Sequence, residues 1–244
     1  MTEPREITIE DGTVRRPRKP WTETVHALLR HLRAAELPVP EPLGIDERFE
    51  YVTLVPGLDG DSAWPDGASA DGARSLGQLL RLIHDASAEW TPPAGATWSV
   101  PHNNGATICH GDPKPANAAW IDGRAAGLFD WEAARPGDPI EDLAYALLWT
   151  VPLNGDPLLA AMTEPEAALR RKRAAALLDG YGWTEHFDVV ELALRRHELA
   201  IREVEWLGAQ GHEPHAEWLA QGWPRRWRGD LEALHRAGRQ IFPT

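Results

Sequence analysis

The chain has 244 residues, 43% hydrophobic and 25% charged, enough to bury a sizeable core in one large domain or two lobes. Its net charge of −12 argues against nucleic acid as the main partner, since neutralising phosphates requires a basic face. A single cysteine, Cys109, excludes an internal disulfide framework, and no apolar run reaches the length of a signal peptide or membrane span, so the expected location is the cytoplasm, with no membrane partner.

The chain opens with "EITIEDGTVRRP". Ile7 and Ile9 alternate with polar residues, Asp11-Gly12 supplies a two-residue turn, and a second strand runs through Val14 to Pro17. Next, "TETVHALLRHLRAA" places Val25, Leu28, Leu29 and Leu32 on one helical face, with Thr22 as the expected N-cap. The prolines of "LPVPEPL" end that helix, and "YVTLVPG" reads as a half-buried strand stopped at Pro56-Gly57. Residues 1–56 thus read as a first lobe in the order strand, strand, helix, strand.

A glycine-rich loop, "DGDSAWPDGASADG", marks the expected lobe boundary, with residues 57–244 forming the second lobe. "ARSLGQLLRLIHDA" spaces Leu76, Leu79, Leu80 and Ile83 as a helix does, and a Trp/Pro/Gly-rich loop covers 90–105. The short strands "AAWI" and "AGLF" flank the turn "DGR", and everything after residue 139 reads as helical. The basic run "RRKR" at 170–173 reads as a solvated helix face, and the twelve tryptophans as scattered core or lobe packing.

The polar chemistry gathers in "CHGDPKPAN", residues 109–117, where two prolines and a glycine exclude a plain helix or strand. Asp130 follows Asn117 by thirteen residues, directly after "AGLF". The intervening hairpin is expected to bring Asn117 and Asp130 side by side. An amide oxygen beside a carboxylate suits a magnesium ion that also takes phosphate oxygens. Asp112 is then placed to accept a proton from an attacking hydroxyl. Cys109 reads as a small core residue, His84 as a packed or capping one, and Asp138 and Asp142 as structural groups around the loop.

"HGDPKPAN" followed by "LFDWEAARPGDPIEDLA" resembles the signature pair of the aminoglycoside phosphotransferase and choline kinase family. The resemblance implies an α+β, protein-kinase-like two-lobed fold, with a small antiparallel-sheet N-lobe and a larger, mostly helical C-lobe. It implies a small-molecule kinase that moves the terminal phosphoryl group of ATP or GTP, with Mg2+, to a substrate hydroxyl. Carried over residue by residue, Asp112 matches the catalytic aspartate, and Asn117 and Asp130 the metal ligands. His110 matches the motif histidine that holds the loop. Lys114 matches a lysine that protein kinases carry two residues after the catalytic aspartate, where it meets the transferred phosphate. Arg15, with Arg16 as second choice, matches the basic strand residue that grips nucleotide phosphates. Thr53, Leu54 and Val55 resemble the hinge against which adenine lies. Trp131 is expected to pack under the metal loop, and Glu132 to be an outer-shell group or a substrate contact.

Two departures stand out. No glycine-rich loop precedes Arg15, so the N-lobe reads as truncated. The helix glutamate that pairs with the basic residue in the family is not evident, Val25 and His26 standing at the corresponding positions with Glu23 nearby. The alternative reading is a pseudokinase-like binding or scaffold module of the same fold. Between residues 100 and 164, nine acidic residues face three basic ones, which favours a cationic acceptor such as an aminoglycoside or amino alcohol.

Overall fold

The computed structural model describes residues 7–151 and 166–243. The first hairpin forms as its sequence demands. Strands β1 (Thr8–Glu10) and β2 (Thr13–Pro17) pair antiparallel, with Ile9 opposite Val14. Asp11 and Gly12 both take positive φ, 49° and 74°, the primed-turn geometry whose twist matches the strands. Helix α1 (Thr22–Ala34) buries Val25, Leu28, Leu29 and Leu32. Thr22 lies inside its first turn and not at the cap; its hydroxyl accepts the Lys19 N–H at 2.9 Å and shapes the chain entering the helix.

Between α1 and the strand expected from "YVTLVPG" the chain adds a strand that its proline and glycine disguise. Strand β3 (Pro42–Ile45) pairs antiparallel with β4 (Phe49–Thr53), and β4 pairs with β2. The four form one antiparallel sheet in the order β1-β2-β4-β3. β3 is an edge strand with a register shift between Pro42 and Gly44, a position that tolerates proline's missing N–H.

The stretch read as a boundary loop is more ordered than its glycines suggest. It contains a 3-10 turn at Gly60–Ala63, a short helix α2 (Trp64–Gly67) and the start of α3 (Ala70–Ala88), capped by Ser69, whose hydroxyl accepts the Gly72 N–H. Beyond the irregular 90–105 segment lie β5 (Thr107–Cys109), β6 (Ala118–Ile121), β7 (Arg124–Leu128) and β8 (Arg135–Gly137). β6 pairs with β7, and β5 with β8, a strand hidden in "RPG". Helices α4 (Pro139–Thr150), α5 (Ala167–Tyr181), α6 (Val189–Ala209), α7 (His215–Ala220) and α8 (Trp223–Ile241) complete the second part. Asp138 caps α4 and Asp188 caps α6, each through its carboxylate.

One hydrophobic core runs across both parts, joining Leu28, Leu29 and Leu32 of α1 to Leu76, Leu80 and Ile83 of α3. Polar links reinforce it: Thr97 donates through its amide to Thr24 Oγ1 at 2.9 Å and through its hydroxyl to the Pro20 carbonyl at 2.8 Å. The run 170–173 is not simply solvated. Arg173 is buried and donates to the Ala68 carbonyl, and Arg171 donates to the Ile241 carbonyl, so two of its charges tie α5 to its neighbours. Among the described residues, no helix is long and apolar enough to cross a membrane.

Candidate active site

The polar loop is braced from below before it presents anything upward. Asp142, fully buried on α4, accepts the backbone N–H groups of His110 (2.7 Å) and Gly111 (2.9 Å). Burial would raise its pKa, but the His84 hydrogen bond and the loop N–H groups outweigh that and hold it at about 2. His84 spans Asp142 and the Tyr181 hydroxyl, both at 3.0 Å, so it is packed as its place on an apolar helix suggests. His84, Cys109 and Asp142 lie close enough to suggest a metal cluster, but the ring nitrogens of His84 and the oxygens of Asp142 are already engaged. Burial drives the Cys109 thiol well above its ordinary pKa, which suits a core residue and not a nucleophile.

Gly111 turns the loop with φ of 86°, and a Cβ there would collide with the Ala133 carbonyl. His110 is wholly buried. Its Nδ1 accepts the Asp112 N–H at 3.3 Å and its Nε2 donates to the Phe129 carbonyl at 2.9 Å, which requires the neutral ring protonated at Nε2. His110 therefore ties the Asp112 loop to the segment that ends at Asp130. Trp131 packs edge-on against it, with ring centroids 4.6 Å apart.

The expected hairpin brings the metal-ligand candidates together. Ala118 pairs with Leu128, and Phe129 N–H donates to the Asn117 carbonyl at 3.0 Å, so Asn117 and Asp130 emerge at the same open end. Asn117 spends its amide N–H2 on Asp112, on the backbone carbonyl and on Oδ2 (3.0 and 2.9 Å), leaving its oxygen for another partner. Asp130 stands at φ 62°, an unusual conformation that swings its carboxylate into the cleft. Hard oxygen donors of this kind fit a magnesium ion. Glu132, half-buried beside Asp130, has its pKa raised by burial and then by that neighbour's charge.

Asp112 holds Lys114 Nζ at 2.8 Å through Oδ2, while its Oδ1 makes no hydrogen bond. Burial pulls the Lys114 pKa down, but the Asp112 charge more than offsets this and the lysine stays charged. Tyr145 of α4 lies beside the pair. Burial and the Asp112 charge raise its pKa, keeping it a neutral phenol.

Strand alternation decides between the two arginines of β2. Val14 and Arg16 share the cleft face; Arg15, the first choice from sequence, lies on the other face, its guanidinium 4.3 Å from the Phe49 ring centroid. Arg16 is buried and reaches Glu50 at 2.8 Å, Asp130 at 3.3 Å and Glu132 at 3.9 Å. Its pairing carboxylate thus comes from β4 directly opposite, not from α1. Helix α1 instead sends His26, whose Nε2 lies 2.7 Å from Glu50 Oε2. Glu50 was missed in the sequence, where the available signal was a carboxylate alternating with Val52 on the buried face of a strand; His26 stands where the family's helix glutamate was sought.

Two cavities meet over these residues. One, of about 560 Å³, lies under the sheet between Ile9, Val14, Val52 and Val55 and the Phe129 ring, with Arg16 at its inner end. Thr53 and Leu54 line it too, although their N–H groups are occupied by the Glu41 and Gly12 carbonyls. The other, of about 900 Å³, opens between Asp112, Lys114 and Asn117 and helices α4, α6, α7 and α8. Asp130, Glu132, Lys19 and Glu213 line both. Lys19 is one of only three lysines in the chain, a rarity that marks it in the sequence without giving it a role. Several tryptophans read as packing, among them Trp218 and Trp227, instead wall the larger cavity. Asp156 and Glu164, two of the nine acidic residues counted earlier, lie outside the described residues.

Comparison with known proteins agrees with this arrangement. The family model described as the phosphotransferase enzyme family matches residues 10–103 and 96–187. The trifolitoxin immunity protein of Rhizobium leguminosarum bv. trifolii is 33% identical over 184 residues, covering 72% of this chain and 70% of its own length. Among solved structures, the ADP-bound aminoglycoside phosphotransferase APH(2'')-Ib superposes with a TM-score of 0.53 at 13% identity, covering 94% of this chain and 88% of its own. The microcompartment-associated aminopropanol kinase gives 0.54 at 13% identity, covering 93% and 83%. Sheet, loop and helices together make a protein-kinase-like fold, and the chain belongs to the phosphotransferase enzyme family.

Proposed function

We propose that this chain is a small-molecule kinase that moves the terminal phosphoryl group of ATP or GTP to a substrate hydroxyl. The observation that carries the reading is the meeting of the two cavities at Asp130, one end-walled by Arg16 and the other floored by Asp112. The smaller cavity takes the nucleotide, its base against the apolar wall near Thr53, Leu54 and Val55 and its phosphates toward Arg16. Its partition from the acceptor cavity follows the division into lobes at 1–56 and 57–244. Asp112 accepts the acceptor's proton through its carboxylate, and Lys114, released from Oδ2, steadies the phosphoryl oxygens. Asn117 and Asp130 would hold Mg2+, which when bound neutralises phosphate charge. His110 acts through the loop it positions.

The relatives support nucleotide and hydroxyl-bearing acceptors: one solved homologue carries ADP and another acts on aminopropanol by name. The relative named for immunity to trifolitoxin supports a protective role, in which the acceptor is a toxic molecule. Magnesium-ATP is expected to raise the thermal midpoint, because a ligand bound only by the folded state stabilises it by mass action. Asp130→Ala is expected to abolish that shift, and Asp112→Ala to keep it while losing turnover. A midpoint unmoved up to millimolar nucleotide would overturn the reading in favour of a pseudokinase-like scaffold.

A further inference from the structure

We propose that the acceptor is an amphipathic, ring-bearing molecule with one or two positive charges, and not a polyhydroxylated polyamine. This rests on the phosphotransferase reading, because it assigns the larger cavity to the acceptor.

That cavity has two kinds of lining. Asp112, Asn117 and Asp130 give it a polar part. Trp218, Trp223 and Trp227 give it an aromatic part, all half-buried, with the Arg226 guanidinium 4.8 Å from the Trp223 ring centroid. Trp223 and Trp227 stack at 5.9 Å, and Trp218 meets Trp227 edge-on at 6.2 Å. Leu148, Ile201, Val204 and Leu234 also line the cavity. About 900 Å³ holds a molecule of several rings, and an indole wall favours offset or edge-on ring contacts over contacts with sugar hydroxyls.

The acidic groups point the same way once their partners are counted. Asp112 holds Lys114 at 2.8 Å, and Asp130 and Glu132 face Arg16 at 3.3 and 3.9 Å but share it with Glu50 at 2.8 Å, so their remaining charge stays beside Asn117, where the proposed Mg2+ would meet it. Glu203 lies between Arg135 (2.7 Å) and Arg196 (3.2 Å). Away from that site, the carboxylates lining the cavity are Glu213 and Asp230, both exposed, with Glu213 accepting the Glu217 N–H at 3.3 Å. A polycation would bring several ammonium groups against apolar wall without counter-charge, which is costly. A single amine can sit over an indole face or reach one of these two exposed carboxylates.

Equilibrium dialysis with two probes tests the idea. Propranolol offers a naphthyl ring, one hydroxyl and one amine; kanamycin offers many hydroxyls and amines on saturated sugar rings. Propranolol is expected to bind at least tenfold more tightly than kanamycin, and Trp227→Ala to weaken it about tenfold. Trp223→Ala is the second variant, and a retained magnesium-ATP thermal shift reports that either variant is folded. Equal or tighter kanamycin binding, no propranolol binding, or wild-type affinity in both variants overturns the proposal. If the wild type shows the nucleotide shift but no ring preference, this inference falls alone. Ring preference without any nucleotide shift would instead remove the kinase reading.

Discussion

Arg16 and Glu50 stand opposite each other across the β2–β4 ladder, and their side chains meet at 2.8 Å inside the cleft. Burial lowers the Arg16 pKa while Glu50, Glu132 and Asp130 raise it, with the net shift upward. Burial likewise raises Glu50, but the His26 hydrogen bond and the Arg16 charge outweigh it. The guanidinium is thus permanently charged and preorganised, shared among three carboxylates.

Removing Glu50 leaves Arg16 to Asp130 and Glu132 but takes the buried His26 from its partner, at a cost of about 1–3 kcal/mol. Glu50→Ala is therefore expected to lower stability to urea by that order, and Arg16→Ala to remove most of the magnesium-ATP thermal shift. Arg15→Ala is expected to leave that shift within a degree or so of wild type, because its guanidinium packs on Phe49 away from the cleft. Equal losses from the two arginine variants would refute the face assignment.

Lys19 lines both cavities, and its charge joins that of Arg16 in opposing the upward pull of burial on the Glu132 pKa. Under the proposed function, that position lies on the path of a terminal phosphate from donor to acceptor. Lys19→Met is expected to raise the Kd for magnesium-ATP about tenfold, the loss of one charge-assisted contact, while changing that for ADP much less. A matching loss for both nucleotides would move Lys19 away from the terminal phosphate.

Asp142 links stability to acid. Its pKa is about 2 in the folded chain against 3.8 when free, so the folded state favours the carboxylate. The stability this contributes, on the order of 2 kcal/mol, is fully present above about pH 4 and is lost as the pH falls through 2. Urea midpoints of wild type and Asp142→Asn are expected to converge as the pH drops from 5 to 2. Parallel curves over that range would show that the carboxylate charge is not what braces the loop.

Arg196 of α6 is buried, donates to the Gly111 carbonyl at 2.6 Å and pairs with Glu203 at 3.2 Å, while its guanidinium lies 4.4 Å from the Tyr145 ring centroid. It holds the Gly111–Asn117 loop from the side of the larger cavity, which the proposed function gives to the acceptor. Arg196→Met is expected to lower kcat about tenfold, little over 1 kcal/mol of barrier, with the nucleotide KM unchanged. A rise in nucleotide KM with kcat intact would contradict that role.

Local chemistry made much of this protein legible in one dimension. Asp11-Gly12 and Asp122-Gly123 are turns because their residues accept positive φ, and "CHGDPKPAN" is a loop because its prolines and glycine permit little else. The hairpin from 118 to 128 then brought Asn117 and Asp130 together by its own length. Strands β3 and β8 escaped because proline and glycine mask their pairing, which neighbours supply. The partner of Arg16 escaped for a related reason. Glu50 is 34 residues away, and only the register of β2 on β4 selects it over the helix residues near His26. Which arginine faces the cleft, which carboxylates remain exposed and which tryptophans become a wall are likewise set by packing. Each depends on contacts between distant segments, and burial and charge pairing act through space, not along the chain.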